Sequence, residues 1–485
     1  MREPMFGDDG RMRAALRRAG DLAEEFLEGL PERAVRPRAG IDELRAALGG
    51  PLPDGPADPV RVVGELARAA DPGIVASAGP RYFGFVIGGS HPAALAADWL
   101  TSAWDQNAGL YATSPAASVV EEVAAGWLLE LLGLPPGSAV GFVTGCQMAN
   151  LAGIAAARHE VLRRAGWDVE EQGLAGAPPV NVLVSEEAHV TVQVALRMLG
   201  LGASRARRVA ADGQGRMRAD ELARTLADCE GPTIVCAQAG NVNTGAFDPL
   251  VPIAEAVRER GAWLHVDGAF GLWAAASPER RLLAEGVQQA DSWATDAHKW
   301  LNVPYDSGLV VVTHPSALRA AMTSTAAYLV QSEGATRDPI DWVPEFSRRA
   351  RGFPVYAALR SLGRGGVAEL VDRCCRLAER FSERLRVCEG ATILNDVVLN
   401  QVLVRFQPPR GDAYGGDAYG GDADAFTRAV IAQVQADGAC WLSGTRWHGM
   451  EAMRVSVSNW STTEEDVERS AAAIDAAARR VSPHP

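Results

Sequence analysis

Lys299, within the stretch TDAHKWLNVPYD (residues 295–306), is the only lysine in the 485-residue chain. Arginine can replace lysine where only a positive charge is needed. It cannot replace an amine that must lose its proton, because the pKa of arginine stays above ~12. Attack of an amine on a carbonyl group, which forms a Schiff base, is the common reaction of this kind. We therefore predict that Lys299 is a nucleophile and that desolvation by apolar and aromatic neighbours lowers its pKa. The alternative is that one lysine escaped a compositional bias toward arginine by chance.

Three further residues could serve the same chemistry. Asp267 ends the apolar stretch AWLHVD, where a carboxylate is costly unless it meets a donor or a cation such as a protonated ring nitrogen. His189 ends NVLVSEEAH and could stack on a flat heteroaromatic ring. Gly145 lies between AVGFVT and a predicted helix, in a turn whose backbone N–H groups could bind an anion. Each residue alone also has an ordinary structural interpretation: a hydrogen-bonded aspartate, a structural or exposed histidine, or a tight turn.

Taken together, the four residues fit one cofactor. An anion-binding turn, a ring-stacking histidine, a carboxylate partner for a pyridinium and a Schiff-base lysine are the requirements of pyridoxal 5′-phosphate (PLP). The classical phosphate loop GxxxxGK[ST] is absent, and no GxGxxG motif follows a predicted strand. The second absence disfavours a nicotinamide-binding domain.

The chain resembles a known family at these residues. The motifs SEEAHVTVQVAL, HVDGAFG and DAHKW, which carry His189, Asp267 and Lys299, are similar to those of the group II PLP-dependent amino-acid decarboxylases. That family belongs to the aspartate-aminotransferase superfamily of fold type I. The stretches RYFGFVIGGSHPAALAADWL and ATSPAASVVEEVAAGWL resemble the family as well, and the resemblance runs from about residue 75 to residue 475.

The resemblance implies roles for further residues. Arg454, in AMRVSVSNW, would hold a substrate carboxylate with its bidentate fork. Tyr328, in STAAYLVQ, would return a proton to the product from a loop of the other subunit. At Cys146 and Gln147 the chain departs in detail, since many members have small hydroxyl residues there. The predicted catalytic residues are Lys299, His189, Asp267 and Tyr328. The predicted cofactor-binding residues are Gly145, Cys146, Gln147, His189, Asn241, Asn243, Asp267, Ala269, Asp296, His298 and Lys299.

The function implied by the resemblance is decarboxylation of an L-amino acid by a PLP-dependent carboxy-lyase, through a Schiff base that Lys299 first forms with the cofactor. The same residues on this fold also serve aminotransfer, C–C cleavage, and decarboxylation coupled to oxidative deamination, which yields an aldehyde. The sequence leaves the substrate open, and an acidic or aromatic amino acid is implied by the family alone. A rival is a non-catalytic regulator that senses the cofactor, but residues 1–60 show no helix-turn-helix spacing.

The elements that must position these residues follow from the apolar pattern. Short apolar stretches alternate with helices from AVGFVT to SGLVVVTHP, which indicates a mostly parallel sheet in an α/β fold. His189 and Asp267 are predicted at the carboxyl ends of strands, where open α/β sheets bind ligands. The resemblance implies a seven-stranded sheet between helices.

The predicted organisation has three parts. Residues 1–110 form an N-terminal helical segment, with an amphipathic helix at 10–30 and an extended arm at 31–60. Residues 111–370 form the large PLP-binding domain. Residues 371–485 form a smaller α+β C-terminal domain, which includes the repeat GDAYGGDAYGGDA as a surface loop.

Composition limits the partners. The net charge is −13 and no basic tract is present, which is unfavourable for nucleic-acid binding. No uncharged apolar stretch reaches ~18 residues, and no secretory signal opens the chain, so we expect no membrane span and a cytoplasmic location. Seven cysteines without metal-site spacing are expected to be reduced thiols, and no metal is predicted. The family implies a homodimer with the active site at the subunit interface.

Overall fold

A computed structural model of the chain describes residues 9–323, 337–408 and 421–482. The helices there are α1 (Asp9–Gly29), α2 (Ile41–Leu48), α3 (Pro59–Ala70), α4 (Pro92–Trp104), α5 (Pro115–Leu131), α6 (Cys146–Arg164), α7 (Val169–Gln172), α8 (Val190–Met198), α9 (Ala219–Ala227), α10 (Leu250–Glu259), α11 (Pro315–Met322), α12 (Gly352–Arg386), α13 (Ala423–Asp437) and α14 (Glu464–Val481). The strands are β1 (Ala139–Val143), β2 (Asn181–Ser185), β3 (Arg207–Val209), β4 (Thr233–Gln238), β5 (Trp263–Asp267), β6 (Ser292–Asp296), β7 (Gly308–Val312), β8 (Ala391–Ile393), β9 (Gln401–Phe406), β10 (Ser443–Trp447) and β11 (Met450–Ser456).

A seven-stranded sheet in the order β1-β7-β6-β5-β4-β2-β3 forms the centre of the large domain. Strand β7 runs antiparallel to both of its neighbours, and the other pairs are parallel. Strands such as β1 (AVGFV) and β7 (GLVVV) are buried along their whole length. Continuous apolar runs of this kind are typical of strands covered by helices on both faces. The prediction of an α/β fold with a mostly parallel seven-stranded sheet is confirmed.

The smaller sheet is antiparallel, in the order β10-β11-β9-β8. Helix α13 packs against β9 and β11, helix α12 packs against β8 and β9, and α14 packs against both of these helices. The prediction of a smaller α+β portion at the C-terminal end is therefore confirmed. Helix α12 continues through residue 370, where we predicted the boundary between the two domains, and its helical geometry is interrupted at Gly363 (φ 60°).

Some local predictions were wrong. Residues 31–60 are not simply an extended arm, because IDELRAAL forms helix α2 within them. His189 does not end a strand, because β2 stops at Ser185 and His189 is the residue that caps helix α8. Most of the GDAYG repeat lies outside the described residues. Among the helices that the structure describes, none has the length and apolar content needed to cross a membrane.

Candidate active site

The carboxyl ends of adjacent strands bring the predicted residues to one edge of the large sheet. Asp267 is the last residue of β5 and Asp296 the last residue of β6, its parallel neighbour. Helix α6 begins at the same edge, directly after Gly145. Gly308 opens the antiparallel strand β7, and a Cβ atom there would lie 2.4 Å from the Gly145 Cα atom. The turn before α6 therefore lies directly on the backbone of the sheet.

Lys299 follows β6 by three residues, and its side chain is only 18% exposed. Its Nζ atom lies 3.0 Å from Asp296 Oδ2. Burial alone would lower the pKa of the Lys299 ammonium, but the charge and the hydrogen bond of Asp296, together with the charge of Asp267, outweigh burial and raise the pKa above its ordinary value. Our prediction of a lowered pKa was therefore wrong for the cofactor-free protein, because the apolar neighbours come with a carboxylate in contact.

The predicted anion-binding turn is shared with Asp296. The backbone N–H of Cys146 donates to Asp296 Oδ1 (2.6 Å), and His298 Nε2 lies 3.4 Å from the same oxygen. Gly145 lacks a side chain where a Cβ atom would approach His298 Cε1 to 3.1 Å. Gln147, in the first turn of α6, is exposed. Asp296 thus uses one donor of the turn, while further N–H groups in the first turn of a helix have no intrahelical partner.

Asp267 is only 4% exposed and is held by several donors. The N–H of Ala269 donates to its Oδ1 atom (3.1 Å), and the Cys146 thiol donates to the same oxygen (3.4 Å). Burial raises the pKa of that thiol well above its ordinary value, so Cys146 remains a protonated donor. Asn150 Nδ2 donates to the other oxygen, Oδ2 (3.1 Å). The carboxylate is therefore fixed in direction at the end of its strand.

His189 caps helix α8, where its Nδ1 atom lies 2.8 Å from Thr191 Oγ1 and accepts from the Thr191 N–H (3.4 Å). Burial lowers the pKa of His189, and the charges of Lys299 and Arg454 lower it further, whereas Asp267 raises it. The charge of Asp296, which also raises the pKa of His189, makes four predicted site residues within electrostatic reach of this imidazole.

Arg454 on β11 is a buried cation, with 8% of its surface exposed. Its Nη1 atom contacts Asn243 Oδ1 (3.4 Å), and that oxygen also accepts from Thr445 Oγ1 (2.9 Å). Within the described residues, no carboxylate forms an ion pair with Arg454, and its Nε atom has no hydrogen-bond partner. Burial lowers the pKa of Arg454 to about 10. A buried guanidinium without a counter-ion is suited to receive an anionic group.

Asn241 has a different surrounding from the other predicted residues. Its Oδ1 atom accepts from the N–H groups of Asn243 and Thr244, and its Nδ2 atom donates to Gln238 Oε1 (3.2 Å). These contacts engage both ends of the amide within its own turn. Tyr328 lies outside the described residues, so its place at the site stays a prediction.

Two residues beside the lysine turn were not predicted. The Tyr305 ring lies against the ring of His298, with centres 4.3 Å apart and planes tilted by 33°, and its side chain is largely exposed. A Cβ atom at Gly88 would lie 1.9 Å from the Lys299 carbonyl oxygen, so the loop after Tyr82 packs on the lysine backbone. No regular spacing in the sequence links these residues to Lys299, because the chain brings them together only on folding.

Asn302 joins three distant segments behind Lys299. Its Oδ1 atom accepts from the N–H groups of Gly89 (2.6 Å) and Trp460 (3.0 Å). Its Nδ2 atom donates to the carbonyl oxygens of Trp300 (2.8 Å) and Ser458 (3.0 Å). The residue is fully buried and has a positive φ of 55°, which asparagine tolerates better than most residues. Its four hydrogen bonds thus fix the turn that carries the lysine.

The residues present fit PLP by their chemistry. The buried primary amine of Lys299 and the buried carboxylate of Asp267 lie at one edge of the large sheet, and the half-buried imidazole of His189 lies within electrostatic reach of both. Arg454, on the smaller sheet, is close enough for its charge to act on His189, and it forms no ion pair within the described residues. At Gly145, the missing side chain lets His298 lie close to the turn from which α6 begins. These are the groups that an aldehyde, a pyridine nitrogen, an aromatic ring and anionic substituents would need.

Known proteins are similar to this chain in both sequence and fold. The pyridoxal-dependent decarboxylase conserved domain matches residues 43–407. Acidic amino acid decarboxylase GADL1 of Mus musculus is 31% identical over 338 residues, which are 68% of this chain and 60% of the mouse protein. Aromatic-L-amino-acid decarboxylase of Bacillus atrophaeus is 26% identical over 471 residues, 96% of this chain and 95% of the bacterial protein.

Solved structures agree at the level of the fold. The crystal structure of Oryza sativa TDC with PLP and tryptamine has a TM-score of 0.90 at 24% identity and covers 99% of both chains. The crystal structure of mouse CSAD has a TM-score of 0.88 at 24% identity, covering 97% of this chain and 99% of the mouse chain. Because the conserved domain spans most of its length, the chain belongs to the pyridoxal-dependent decarboxylase family, whose members are PLP-dependent carboxy-lyases that act on amino acids.

Proposed function

We propose that this member of the decarboxylase family removes the α-carboxylate of an L-amino acid as CO2, with PLP bound to Lys299. The observation that carries the proposal is the convergence around His189 of a buried amine, a buried carboxylate and a buried guanidinium that has no ion-pair partner among the described residues. The first two suit the cofactor, and the third suits the carboxylate of a substrate. When bound, the cofactor supplies an electron sink for the bond that breaks.

The chain's own residues bind and orient in this proposal. Lys299 would hold the cofactor covalently, Asp267 would pair with its ring nitrogen, and His189 would stack on its ring. The N–H groups at the start of α6, together with His298, would bind its phosphate. Asp296 is proposed as a further cofactor-binding residue. Its carboxylate lies beside these donors and contacts both the Cys146 N–H and the Lys299 ammonium. Asn241, Asn243 and Ala269 would line the ring side of the cofactor.

Arg454 is proposed to hold a substrate carboxylate. Its burial excludes the water that would otherwise compete for the guanidinium, and its contact with Asn243 aims the group. Relatives named for acidic and for aromatic amino acids are both similar to this chain. Substrates of both classes therefore belong in the first screen.

The fate of the product is part of the proposal. We assign its reprotonation to Tyr328, which gives an amine. The alternative left open by the sequence is reaction with oxygen, which gives an aldehyde. Aminotransfer and C–C cleavage would release no CO2 from the amino acid, so product analysis separates them from both.

The test is product analysis with the cofactor-loaded protein and single amino acids, in air and without oxygen. We expect CO2 and amine in both conditions. Aldehyde and peroxide only in air would replace the simple decarboxylase by an oxidative one, and no CO2 from any amino acid would overturn the proposal. The K299R variant is the matched control, since it keeps the charge but cannot form the Schiff base. Its activity should fall roughly a thousandfold, as for loss of a positioned catalytic group.

We also propose a homodimer with the site at the subunit interface. Apolar side chains on α1, α3 and α4 are exposed to solvent in the single chain, and they offer a contact surface: Met12, Leu16, Val62, Leu66, Trp99, Leu100 and Trp104. Light scattering should give twice the chain mass of 51.3 kDa. An active monomer would contradict this assembly.

A cytoplasmic location and the three-part domain organisation (1–110, 111–370 and 371–485) complete the proposal. All seven cysteines are free thiols, which fits a reducing compartment. Fractionation of cells that make the protein would test the location, and limited proteolysis would test the domain boundaries.

A further inference from the structure

A buried chain of hydrogen bonds runs away from Asp267 into the large domain. Asn150 on α6 donates from Nδ2 to Asp267 Oδ2 (3.1 Å), and its Oδ1 atom lies 2.8 Å from His265 Nε2. His265 Nδ1 lies 2.8 Å from Ser292 Oγ, which accepts from Trp263 Nε1 (2.9 Å). Asn150, His265, Ser292 and Trp263 are all fully buried. None of them carries a role in the chemistry described so far.

The donor and the acceptor of each hydrogen bond in this series are fixed by Asp267 at one end and Trp263 at the other. Asp267 accepts, so Asn150 must turn its amide nitrogen toward the carboxylate and its oxygen toward His265. His265 must then carry its proton on Nε2, and its Nδ1 atom must accept from the Ser292 hydroxyl. Trp263 closes the chain, because an indole N–H can only donate. All four donors therefore point toward Asp267.

The second N–H of Asn150 acts through Thr191 on His189, the other side chain that is proposed to face the cofactor. Asn150 Nδ2 lies 3.3 Å from Thr191 Oγ1, and that oxygen lies 2.8 Å from His189 Nδ1. Since the Thr191 hydroxyl accepts from Asn150, its own proton is directed to His189 Nδ1. The imidazole of His189 is then left with its proton on Nε2. One amide thus orients both Asp267 and His189.

Two further features hold the amide in place. Burial lowers the pKa of His265 to about 4, so its imidazole stays neutral and keeps a single ring proton at ordinary pH. A Cβ atom at Gly153 on α6 would lie 2.8 Å from His265 Cε1, so the helix leaves room for the ring by carrying glycine there. Within the described residues, Asn150 is also the only hydrogen-bond donor to Asp267 Oδ2.

We propose that Asn150 is a positioning residue that aims Asp267 at the ring nitrogen of the cofactor and fixes the tautomer of His189, with His265, Ser292 and Trp263 locking its amide. The proposal rests on the proposed function, because it takes Asp267 to be the partner of the ring nitrogen. A low-dielectric surrounding strengthens each bond of the chain and makes an unpaired member costly.

The test separates positioning from mere support of the fold. Cofactor-free wild type and N150L are titrated with PLP and with the PLP analogue in which a C–H group replaces the ring nitrogen. Dissociation constants are read from quenching of tryptophan fluorescence. The wild type should prefer PLP, because only PLP offers a ring nitrogen to Asp267. In N150L the affinity for PLP should fall roughly ten- to a hundredfold, the scale of a hydrogen bond to a charged group, while affinity for the analogue changes little.

Two more variants keep the result interpretable. N150A, which favours the helical state of α6, provides a second measurement if N150L does not fold. N400L removes another buried asparagine, which donates to Val457 O and Ser458 Oγ on the small-sheet side. It should cost stability without changing the preference for PLP over the analogue.

The outcomes are distinct. Equal losses for PLP and the analogue in the Asn150 variants would reduce the residue to a structural one and overturn the inference. An unchanged preference in both variants would overturn it as well. If PLP could not be trapped on Lys299 of the wild type by borohydride, the proposed function itself would be overturned, and the positioning role with it.

Discussion

Asp296 and Lys299 form a buried ion pair, which the proposed attachment of PLP to Lys299 would have to break. The amine reacts with an aldehyde only in its neutral form, and the pKa of Lys299 is raised although burial opposes the charge. We therefore expect Asp296 to slow the proposed attachment of the cofactor, because the ammonium form of Lys299 persists to higher pH when the carboxylate is present.

The D296N variant should attach PLP faster near neutral pH. Removal of the carboxylate lowers the pKa of Lys299, so the rise of the attachment rate with pH should shift to lower pH by about 1 to 3 units, the usual effect of one adjacent charge. The hydrogen bond from the Cys146 thiol to Asp267 does not involve Asp296 and remains in the variant. Stopped-flow absorbance of the Schiff-base band gives the rate. D220N, which removes an exposed carboxylate from α9, should keep the wild-type profile, and an unshifted D296N profile would contradict the braking role.

Arg454 should control substrate affinity rather than cofactor retention. R454M removes the buried guanidinium with little change in volume, so KM should rise about ten- to a hundredfold, as for loss of a hydrogen bond to a charged group. R454K should recover only part of this, because an ammonium keeps the charge but not the fork. Steady-state kinetics with the substrate found in the screen checks both variants. A fall in kcat with KM unchanged would place Arg454 elsewhere in the reaction.

The sequence predicted the place of some side chains in the candidate site but not of others. Lys299, Asp267 and His189 stand out because the chemistry demands those residue types and the structure brings them to one edge. Asn150 and His265 gave no such signal, because one buried asparagine in a helix and one histidine in a strand are also common in protein interiors. The pKa shift of Lys299 could not be predicted either, since its sign depends on a 3.0 Å contact.

Close packing between strand β7 and the turn before α6 sets the shape of the predicted phosphate site. A Cβ atom at Gly308 would collide with the backbone of Gly145, and a Cβ atom at Gly145 would approach His298 Cε1 to 3.1 Å. The position of the helix N-terminus relative to the sheet thus depends on two glycines that lie 163 residues apart in sequence, on elements that the fold places side by side.

The G308A variant should be destabilised and should release PLP more readily. Its Cβ atom would meet the Gly145 backbone, and overpacking of this kind costs about 1–3 kcal/mol. Chemical denaturation and the dissociation constant for PLP measure the two effects. G126A on the exposed side of α5 is the control, because nothing lies within 4 Å of its added Cβ and the helix should gain up to about 1 kcal/mol. Equal behaviour of the two variants would contradict this account of the turn.

There are physical reasons why sequence analysis did not predict some of the strands. Strand β3 has three residues and two of them are exposed arginines, so it carries almost no apolar signal. Strand β6 (SWATD) is fully buried but mostly polar or small. The antiparallel direction of β7 leaves no mark on its own sequence, because an apolar run looks the same in either direction. The strands that were predicted are the continuous apolar ones.

A buried ionic cluster ties the large domain together at the scale of the whole molecule. Glu121 on α5 lies 2.7 Å from Arg348 Nη1 and 3.7 Å from Arg337 Nη2. Arg348 also donates to the carbonyl oxygens of Ala108 (3.0 Å) and Phe142 (2.7 Å). The cluster joins the segment before α5, strand β1 and the segment before α12.

Removing Glu121 should therefore destabilise the whole large domain. The E121Q variant leaves two buried guanidinium groups without their carboxylate, a change that typically costs about 3–5 kcal/mol. Glu130 lies on the same helix as Glu121 and forms an exposed ion pair with Arg364 of α12. The E130Q variant should therefore cost less than about 1 kcal/mol. Thermal and chemical unfolding of both proteins gives the comparison, and a similar small loss in both would show that the buried cluster is not a strong support.

The bonds of Asn302 have a consequence for how the protein is made. The turn that carries Lys299 is held at once by Gly89, near the start of the chain, and by Ser458 and Trp460, near its end. Chains emerge from the ribosome N-terminus first, and most of this one must be synthesised before Trp460 exists. If PLP attaches to Lys299 as proposed, a chain that lacks Ser458 and Trp460 would offer the lysine without the hydrogen bonds that complete its turn. The completed turn would then become available to the cofactor only after this late segment has been made.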